Sequence, residues 1–165
     1  MFTTIRSVSP GAETYEEWHR VFEQNLWSAT NMVEASRRAL VASAGSIVCI
    51  SSICGQELVP DAPLTYSAAK AALNVYVRGI ARPLGKAQVR INAIAPGNIL
   101  FPGSVWQRRL NEDPVVVGKM LGRDVALAKL GTPQDVANLA LFLASSRASF
   151  CTGSIFVADG GQVHS

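Results

Sequence analysis

Three short apolar runs, each separated from the next by a stretch with helical character, constrain what this chain can fold into. They occupy residues 46–51, 89–94 and 154–158 and are rich in isoleucine, valine and alanine. Short apolar runs that alternate with helices are typical of parallel strands, which bury both faces of their sheet under helices. The sequence therefore predicts an α/β fold with a parallel sheet of about three strands.

The helices between these runs have recognisable starts. Thr14 followed by Glu17 is a capping-box pattern and predicts a helix that runs to about residue 43 and is stopped by Gly45. Its expected apolar face comprises Trp18, Val21, Phe22, Leu26, Ala29, Met32, Val33 and Leu40. A second helix is expected over residues 65–82, short helices over 101–123, and a last helix from Thr132 to about residue 145.

Composition excludes several functional classes. The chain has 165 residues and a net charge of +3, and no basic stretch with interleaved aromatic residues, so nucleic-acid binding is not expected. Three cysteines without metal-ligand spacing and two isolated histidines predict no metal site. Residues 1–10 lack the apolar segment of a secretory signal, and no apolar run reaches the length of a membrane span. We therefore expect a cytoplasmic protein with no membrane partner.

Residues that could take part in catalysis follow the first predicted strand and open the second helix. Tyr66 and Lys70 lie four residues apart, so a helix places them on one face. Ser52 follows the strand that ends near residue 51, and the carboxyl ends of parallel strands are where ligands bind. A lysine cation beside a tyrosine favours the phenolate and lowers the tyrosine pKa, which suits acid–base work on a carbonyl or alcohol. Ser52 could hold the same oxygen by a hydrogen bond.

Each of these residues also has a plainer interpretation. A tyrosine and a lysine at this spacing occur by chance, and both can lie on a helix surface without a chemical role. Asn25 falls on the apolar stripe of the first helix, where a buried amide needs hydrogen-bond partners. A local bond to a backbone carbonyl would satisfy Asn25 without any function.

Taken together, the motifs resemble the short-chain dehydrogenase/reductase family. The resemblance rests on Ser-Ile-Val-Cys-Ile-Ser-Ser-Ile-Cys-Gly at 46–55, Tyr-Ser-Ala-Ala-Lys at 66–70, and Val-Arg-Ile-Asn-Ala-Ile-Ala-Pro-Gly at 89–97. Further matches are Glu-Trp at 17–18, Asn-Leu at 25–26, Gly-Thr-Pro-Gln-Asp-Val at 131–136, Thr-Gly at 152–153 and Asp-Gly-Gly at 159–161. The resemblance covers about residues 13–162 and implies a partial Rossmann-like, doubly wound parallel sheet.

The resemblance also implies an activity and a set of roles. The family transfers a hydride between NAD or NADP and a small-molecule carbonyl/alcohol substrate. Tyr66 would be the acid/base, Lys70 would bond the nicotinamide ribose and lower the Tyr66 pKa, Ser52 would position the substrate carbonyl, and Asn25 would hold a water in a relay to Lys70. The backbone at Gly97 and Ile99 would face the nicotinamide. The helix at 65–82 resembles the family's usual subunit contact, which implies a homo-oligomer.

Two departures limit these implications. The sequence contains no glycine-rich turn of the kind that binds the cofactor pyrophosphate, so it resembles the last two-thirds of a family member, a single domain truncated at its N-terminus. Phe101 stands where the family tends to have a threonine. Binding of a cofactor by this chain is therefore not expected, and exposed strand edges predict that it associates. Two alternatives to an oxidoreductase stay open: a non-catalytic remnant that associates through its helices, and a binding module in which Tyr66 and Lys70 are structural.

Overall fold

The computed structural model describes residues 11–163, so the expectations for residues 1–10 and for His164 as a tail residue lie outside the described part. The helices are α1 (Tyr15–Phe22), α2 (Ser28–Ser43), α3 (Leu64–Gly85), α4 (Val105–Glu112), α5 (Pro114–Asp124) and α6 (Pro133–Ala144). The strands are β1 (Ser46–Ile50), β2 (Arg90–Pro96) and β3 (Ile155–Ala158). Among residues 11–163, no helix is both long and apolar enough to cross a bilayer.

The three strands form one parallel sheet in the order β1-β2-β3. Ile47 pairs with Ile91, and Ala93 pairs with Ile155, so β2 is central. Within the described residues, β1 and β3 each have one unpaired edge. The predicted α/β architecture, with strands at the expected places, is confirmed.

Helices cover both faces of the sheet. On one face, α2 and α3 pack against the strands through a core that includes Val33, Leu73, Val77 and Ile91. On the other face, α6 packs Leu143 against Ile94 of β2. This division explains why β2 has a nearly continuous buried run, and it makes the sheet doubly wound, as predicted.

The first helix is interrupted, contrary to the prediction of one continuous helix. The Thr14 side chain caps α1 by accepting from the Glu17 backbone N–H at 3.2 Å, as expected. A single π-helical turn, Glu23–Trp27, then separates α1 from α2. α2 ends at Ser43, as predicted, and its C-cap Ala44 lies in the left-handed region, with φ of 48°.

Met32 was expected on the buried face of this helix, and that prediction is wrong. Its side chain is 69% exposed, whereas the neighbouring Val33 is 3% exposed. Met32 lines an open groove between α2 and the unpaired edge of β1. Helical spacing identifies a face but not whether another element covers all of it.

Two polar side chains of β2, the half-buried Arg90 and the buried Asn92, bond the sheet to its surroundings. Arg90 donates to the carbonyls of Leu143 (2.8 Å) and Ser145 (3.0 Å), which are among the free carbonyls at the end of α6. Asn92 donates to the Cys151 carbonyl at 2.8 Å and accepts from the Ser154 N–H at 3.1 Å. These bonds fix the segment that leads into β3.

Candidate active site

The site forms where β1 ends and α3 passes beside it. Ser52 follows the strand directly and caps a short 3₁₀ turn, Ile53–Gly55, by accepting from the Cys54 N–H at 3.2 Å. Gly55 lets this turn approach α3, because a Cβ there would lie 2.7 Å from the carbonyl carbon of Lys70. The turn and the helix are therefore in backbone contact beside the predicted site residues.

Lys70 is buried, with 8% of its surface exposed. Its ammonium donates to the Ile50 carbonyl oxygen at 2.8 Å and lies 5.5 Å from the centroid of the Tyr66 ring. Burial lowers the pKa of Lys70 to about 8, against a smaller opposing effect from the thiols of Cys49 and Cys54. The side chain is a cation at neutral pH that loses its proton in mildly alkaline solution.

Tyr66 behaves differently from the prediction. Burial raises the pKa of Tyr66, and a hydrogen bond with the Ser52 hydroxyl lowers it by less. The expectation that Lys70 lowers the Tyr66 pKa is wrong for this arrangement. The physical reason is that desolvation of the phenolate dominates, while the lysine ammonium is bonded to the Ile50 carbonyl. Tyr66 is therefore a neutral phenol at pH 7 and can donate a proton.

The two serines after β1 have separate partners. Ser51 donates to the Asn74 side-chain oxygen at 2.6 Å, and Asn74 donates to the Gly55 carbonyl at 3.1 Å. Ser52 instead bonds Tyr66 and caps the turn. Sequence analysis missed Asn74, which lies one helical turn after Lys70 and anchors the loop that carries Ser52. The available signal was the position of Asn74 four residues after Lys70, which places both on one side of the helix.

Asn25 lies in the π-helical turn. Its side-chain amide donates to the Val21 carbonyl at 2.9 Å, which is the local bond that sequence analysis kept as an alternative. Asn25 also lines a cavity of about 270 Å³ together with Ile50 and Lys70. The fold thus brings Asn25 and Lys70 to one cavity, which is the groove that Met32 also lines and which has room for several waters.

Gly97 and Ile99 follow β2. The Gly97 N–H donates to the Ala158 carbonyl at 3.0 Å, and a Cβ at Gly97 would lie 2.7 Å from the Cβ of Asp159. Ile99 forms a parallel bridge with Gly131 and lines a different cavity, of about 180 Å³. Glycine at 97 thus has a packing reason that is independent of any cofactor.

The residues present fit one end of a nicotinamide cofactor. Lys70 uses one N–H on Ile50, which leaves two donors for ribose hydroxyls. The sequence holds no glycine-rich turn for the pyrophosphate, so the fit is limited to the nicotinamide ribose.

Comparison with known proteins identifies the family. A family model described as enoyl-(acyl carrier protein) reductase matches residues 8–163. The chain belongs to the short-chain dehydrogenase/reductase family. A curated relative, the 3-oxoacyl-[acyl-carrier-protein] reductase FabG of Chlamydia muridarum, is 36% identical over 148 residues, which are 89% of this chain and 57% of the relative.

Solved structures of short-chain dehydrogenases/reductases share the fold. A 3-oxoacyl-[acyl-carrier protein] reductase from Brucella melitensis with bound NAD is 31% identical, with a TM-score of 0.78 over 93% of this chain and 55% of that one. An NADPH-bound short-chain oxidoreductase from Pseudomonas aeruginosa, whose catalytic centre is described as atypical, is 27% identical, with a TM-score of 0.87 over 97% of this chain and 62% of that one. This short-chain dehydrogenase/reductase chain spans little more than half the length of the relatives it matches.

Proposed function

We propose that the protein is an NAD(P)(H)-dependent oxidoreductase that interconverts a carbonyl and an alcohol in a small molecule. The observation that carries the proposal is the group formed by the buried Ser52 and Lys70 and the partly buried Tyr66 at the carboxyl end of β1. A catalytic phenol, a hydroxyl bonded to it and a cation beside it are what proton transfer to a carbonyl oxygen requires.

In reduction, Tyr66 donates its phenolic proton to the substrate oxygen as that oxygen gains negative charge. The raised pKa keeps this proton in place at pH 7. The Ser52 hydroxyl hydrogen-bonds the same oxygen and orients it. A nicotinamide cofactor, when bound, supplies the hydride to the carbonyl carbon, and in the reverse reaction the proton returns to Tyr66.

Lys70 and Asn25 have supporting roles in this proposal. Lys70 directs its remaining N–H groups to the ribose and is a cation at neutral pH. Asn25 holds a water in the cavity that it shares with Lys70, which would return protons to the site from solvent. The backbone at Gly97 and Ile99 faces the nicotinamide. The proposal includes both NAD and NADP as cofactors, since relatives with bound NAD and with bound NADPH share the fold.

The test is a fluorescence titration of the purified chain with NADH and with NADPH. Saturable binding, followed by carbonyl-dependent oxidation of the bound cofactor that Tyr66→Phe slows strongly, is the result that would support the proposal. Folded protein that binds neither cofactor overturns the proposal for this chain.

One observation favours the second candidate, a chain that associates without catalysing. The β1 strand has a free edge within the described residues, bordered by the exposed Met32. Association through this edge or through α3, the helix predicted at 65–82, would then be the chain's role. Association together with an absence of cofactor binding distinguishes it from the oxidoreductase.

A further inference from the structure

A third cavity, of about 350 Å³, is reached by the chain shortly after Ser52. It is enclosed by the segment at 57–61, by α4 and α5, and by residues that follow β2 and β3. Its wall begins two residues after the turn Ile53–Gly55, whose cap is Ser52. The chain therefore runs from Ser52 through this turn directly into the cavity wall.

Two buried polar atoms in the wall of this cavity have no hydrogen-bond partner. One is the Nδ2 donor of Asn98, and the other is the Oε1 acceptor of Gln162. They follow the neighbouring strands β2 and β3, and Gln162 Oε1 lies 3.2 Å from the position of a Cβ built on Gly97, next to Asn98. A buried donor and a buried acceptor without partners are each unfavourable, so a ligand group that bonds to both atoms would stabilise the site.

Charges around the cavity argue against an anionic ligand. Arg109 stacks on the Trp106 ring, with its guanidinium carbon 5.0 Å from the ring centroid, and Arg123 is paired with Asp124 at 2.6 Å. Glu57 and Asp61 complete the charged lining. Two cations thus face three carboxylates, and the unpaired Gln162 oxygen would repel a further negative charge.

We infer that the cavity binds an uncharged substrate group that accepts one hydrogen bond and donates another, a carboxamide or a hydroxyl. Asn98 Nδ2 donates to the group's oxygen, and Gln162 Oε1 accepts from its N–H or O–H. This inference rests on the proposed function, because it assigns the far end of the carbonyl substrate. Asn98 and Gln162 are specificity-determining residues for that substrate.

The test uses four small ketones of similar size. They are 3-oxobutanamide, 4-hydroxybutan-2-one, the apolar pentan-2-one and the anionic 3-oxobutanoate. Binding is followed through the side-chain amide signals of Asn98 and Gln162 in ¹H–¹⁵N spectra, which need no cofactor. Asn98→Leu and Gln162→Leu identify these signals, and exposed Asn111→Leu on α4 is the matched control.

We expect 3-oxobutanamide or 4-hydroxybutan-2-one to shift both amide signals and to bind about tenfold more tightly than pentan-2-one, the ratio that one net hydrogen bond provides. Asn98→Leu and Gln162→Leu should each remove this preference while Asn111→Leu keeps it. Both leucine variants should fold, since each replaces an unpaired polar group by an apolar one. Preferred binding of pentan-2-one or 3-oxobutanoate, or an unchanged preference in the leucine variants, overturns the inference.

Activity measurements separate this inference from the proposed function. Shifted amide signals without oxidation of NADH or NADPH would support the polar cavity and count against the oxidoreductase. Reduction of all four ketones at equal kcat/KM would support the oxidoreductase and overturn the polar cavity.

Discussion

The ammonium of Lys70 on α3 donates to the carbonyl of Ile50, the last residue of β1, at 2.8 Å. This bond joins a helix to the end of a strand at the point where the sheet loses its regular pairing. The same ammonium lies 5.5 Å from the centroid of the Tyr66 ring. Lys70 thus connects α3 to β1 and is also a proposed cofactor ligand.

The buried cation makes stability depend on pH. The pKa of Lys70 is lowered from 10.5 to about 8, so between these values the unfolded chain binds more protons than the folded one. The contribution of this group to the free energy of unfolding therefore rises as pH increases above about 8. The raised pKa values of Cys49, Cys54 and Tyr66 have the opposite effect from about pH 9 upward, so the clearest window is pH 7–9.

Urea denaturation at pH 7, 8 and 9 measures this contribution. The parent should gain stability relative to Lys70→Met across that range, because the variant has no proton to lose. Lys119→Met on the exposed side of α5 should follow the parent. Parallel pH profiles for the parent and Lys70→Met would show that Lys70 has no lowered pKa.

Removal of the Tyr66 hydroxyl should slow turnover strongly while leaving the fold intact. General acid–base catalysis contributes about 10²–10⁴ in rate, so Tyr66→Phe should lose activity by that factor. Tyr76→Phe, also on α3 and only half-buried, is the matched control and should retain activity. Equal kcat values for the two variants would remove Tyr66 from the chemistry.

The close approach at Gly55 predicts a steric cost. A methyl group there would meet the backbone of Lys70 and Ala71 at 2.7–2.9 Å, so Gly55→Ala should lower the free energy of unfolding by about 1–3 kcal/mol. Gly79 on α3 has nothing within 4 Å, and Gly79→Ala should raise stability by up to about 1 kcal/mol. Chemical denaturation measures both, and a stable Gly55→Ala protein would contradict the contact.

Asn92 offers a nearly isosteric test of a buried bond. Asn92→Asp keeps the acceptor for the Ser154 N–H but replaces the donor to the Cys151 carbonyl by a carboxylate oxygen. The loss of stability at pH 7 should be at least about 3 kcal/mol, because the carboxylate is buried without an opposite charge and faces the Cys151 carbonyl oxygen. The loss should shrink towards pH 4, where the carboxyl group can bind a proton. Exposed Asn111→Asp should change little at either pH.

Exposed apolar surface beside β1 predicts association. The parent should elute in size-exclusion chromatography with light scattering above the monomer mass of 17.6 kDa. Met32→Lys places a charge in the groove at the β1 edge and should shift the protein towards the monomer. Tyr15→Lys is the control, since Tyr15 is exposed on α1, away from that edge. A sharp monomer peak and a cooperative melt for the parent would contradict this prediction.

Local signals predicted the elements well. The strands carry apolar runs, and Thr14 and Thr132 cap their helices through contacts within three residues. Ser52 and Tyr66 were also predicted to act on the same oxygen. The prediction placed Ser52 at the carboxyl end of a strand and Tyr66 at the start of the helix that follows.

Features that depend on tertiary surroundings were not predicted. The direction of the Tyr66 pKa shift follows from how deeply the phenol is buried, which a spacing of four residues does not reveal. The exposure of Met32 depends on what covers α2. The π-helical turn at Glu23–Trp27 contains neither glycine nor proline, so its sequence carries no break signal.

That turn has a consequence for how the chain tolerates changes in length. Its wider winding accommodates one residue more than an α-helix would, and one residue corresponds to about 100° of rotation. Deletion of a single residue within 23–27 can therefore restore regular winding while leaving α2 in phase with the sheet. A deletion in the middle of α2 falls in regular winding, which has no extra residue to lose. It would rotate the rest of the helix, including its contact at Leu40, away from the core. The turn is thus the place in this helix where a one-residue insertion or deletion can be absorbed.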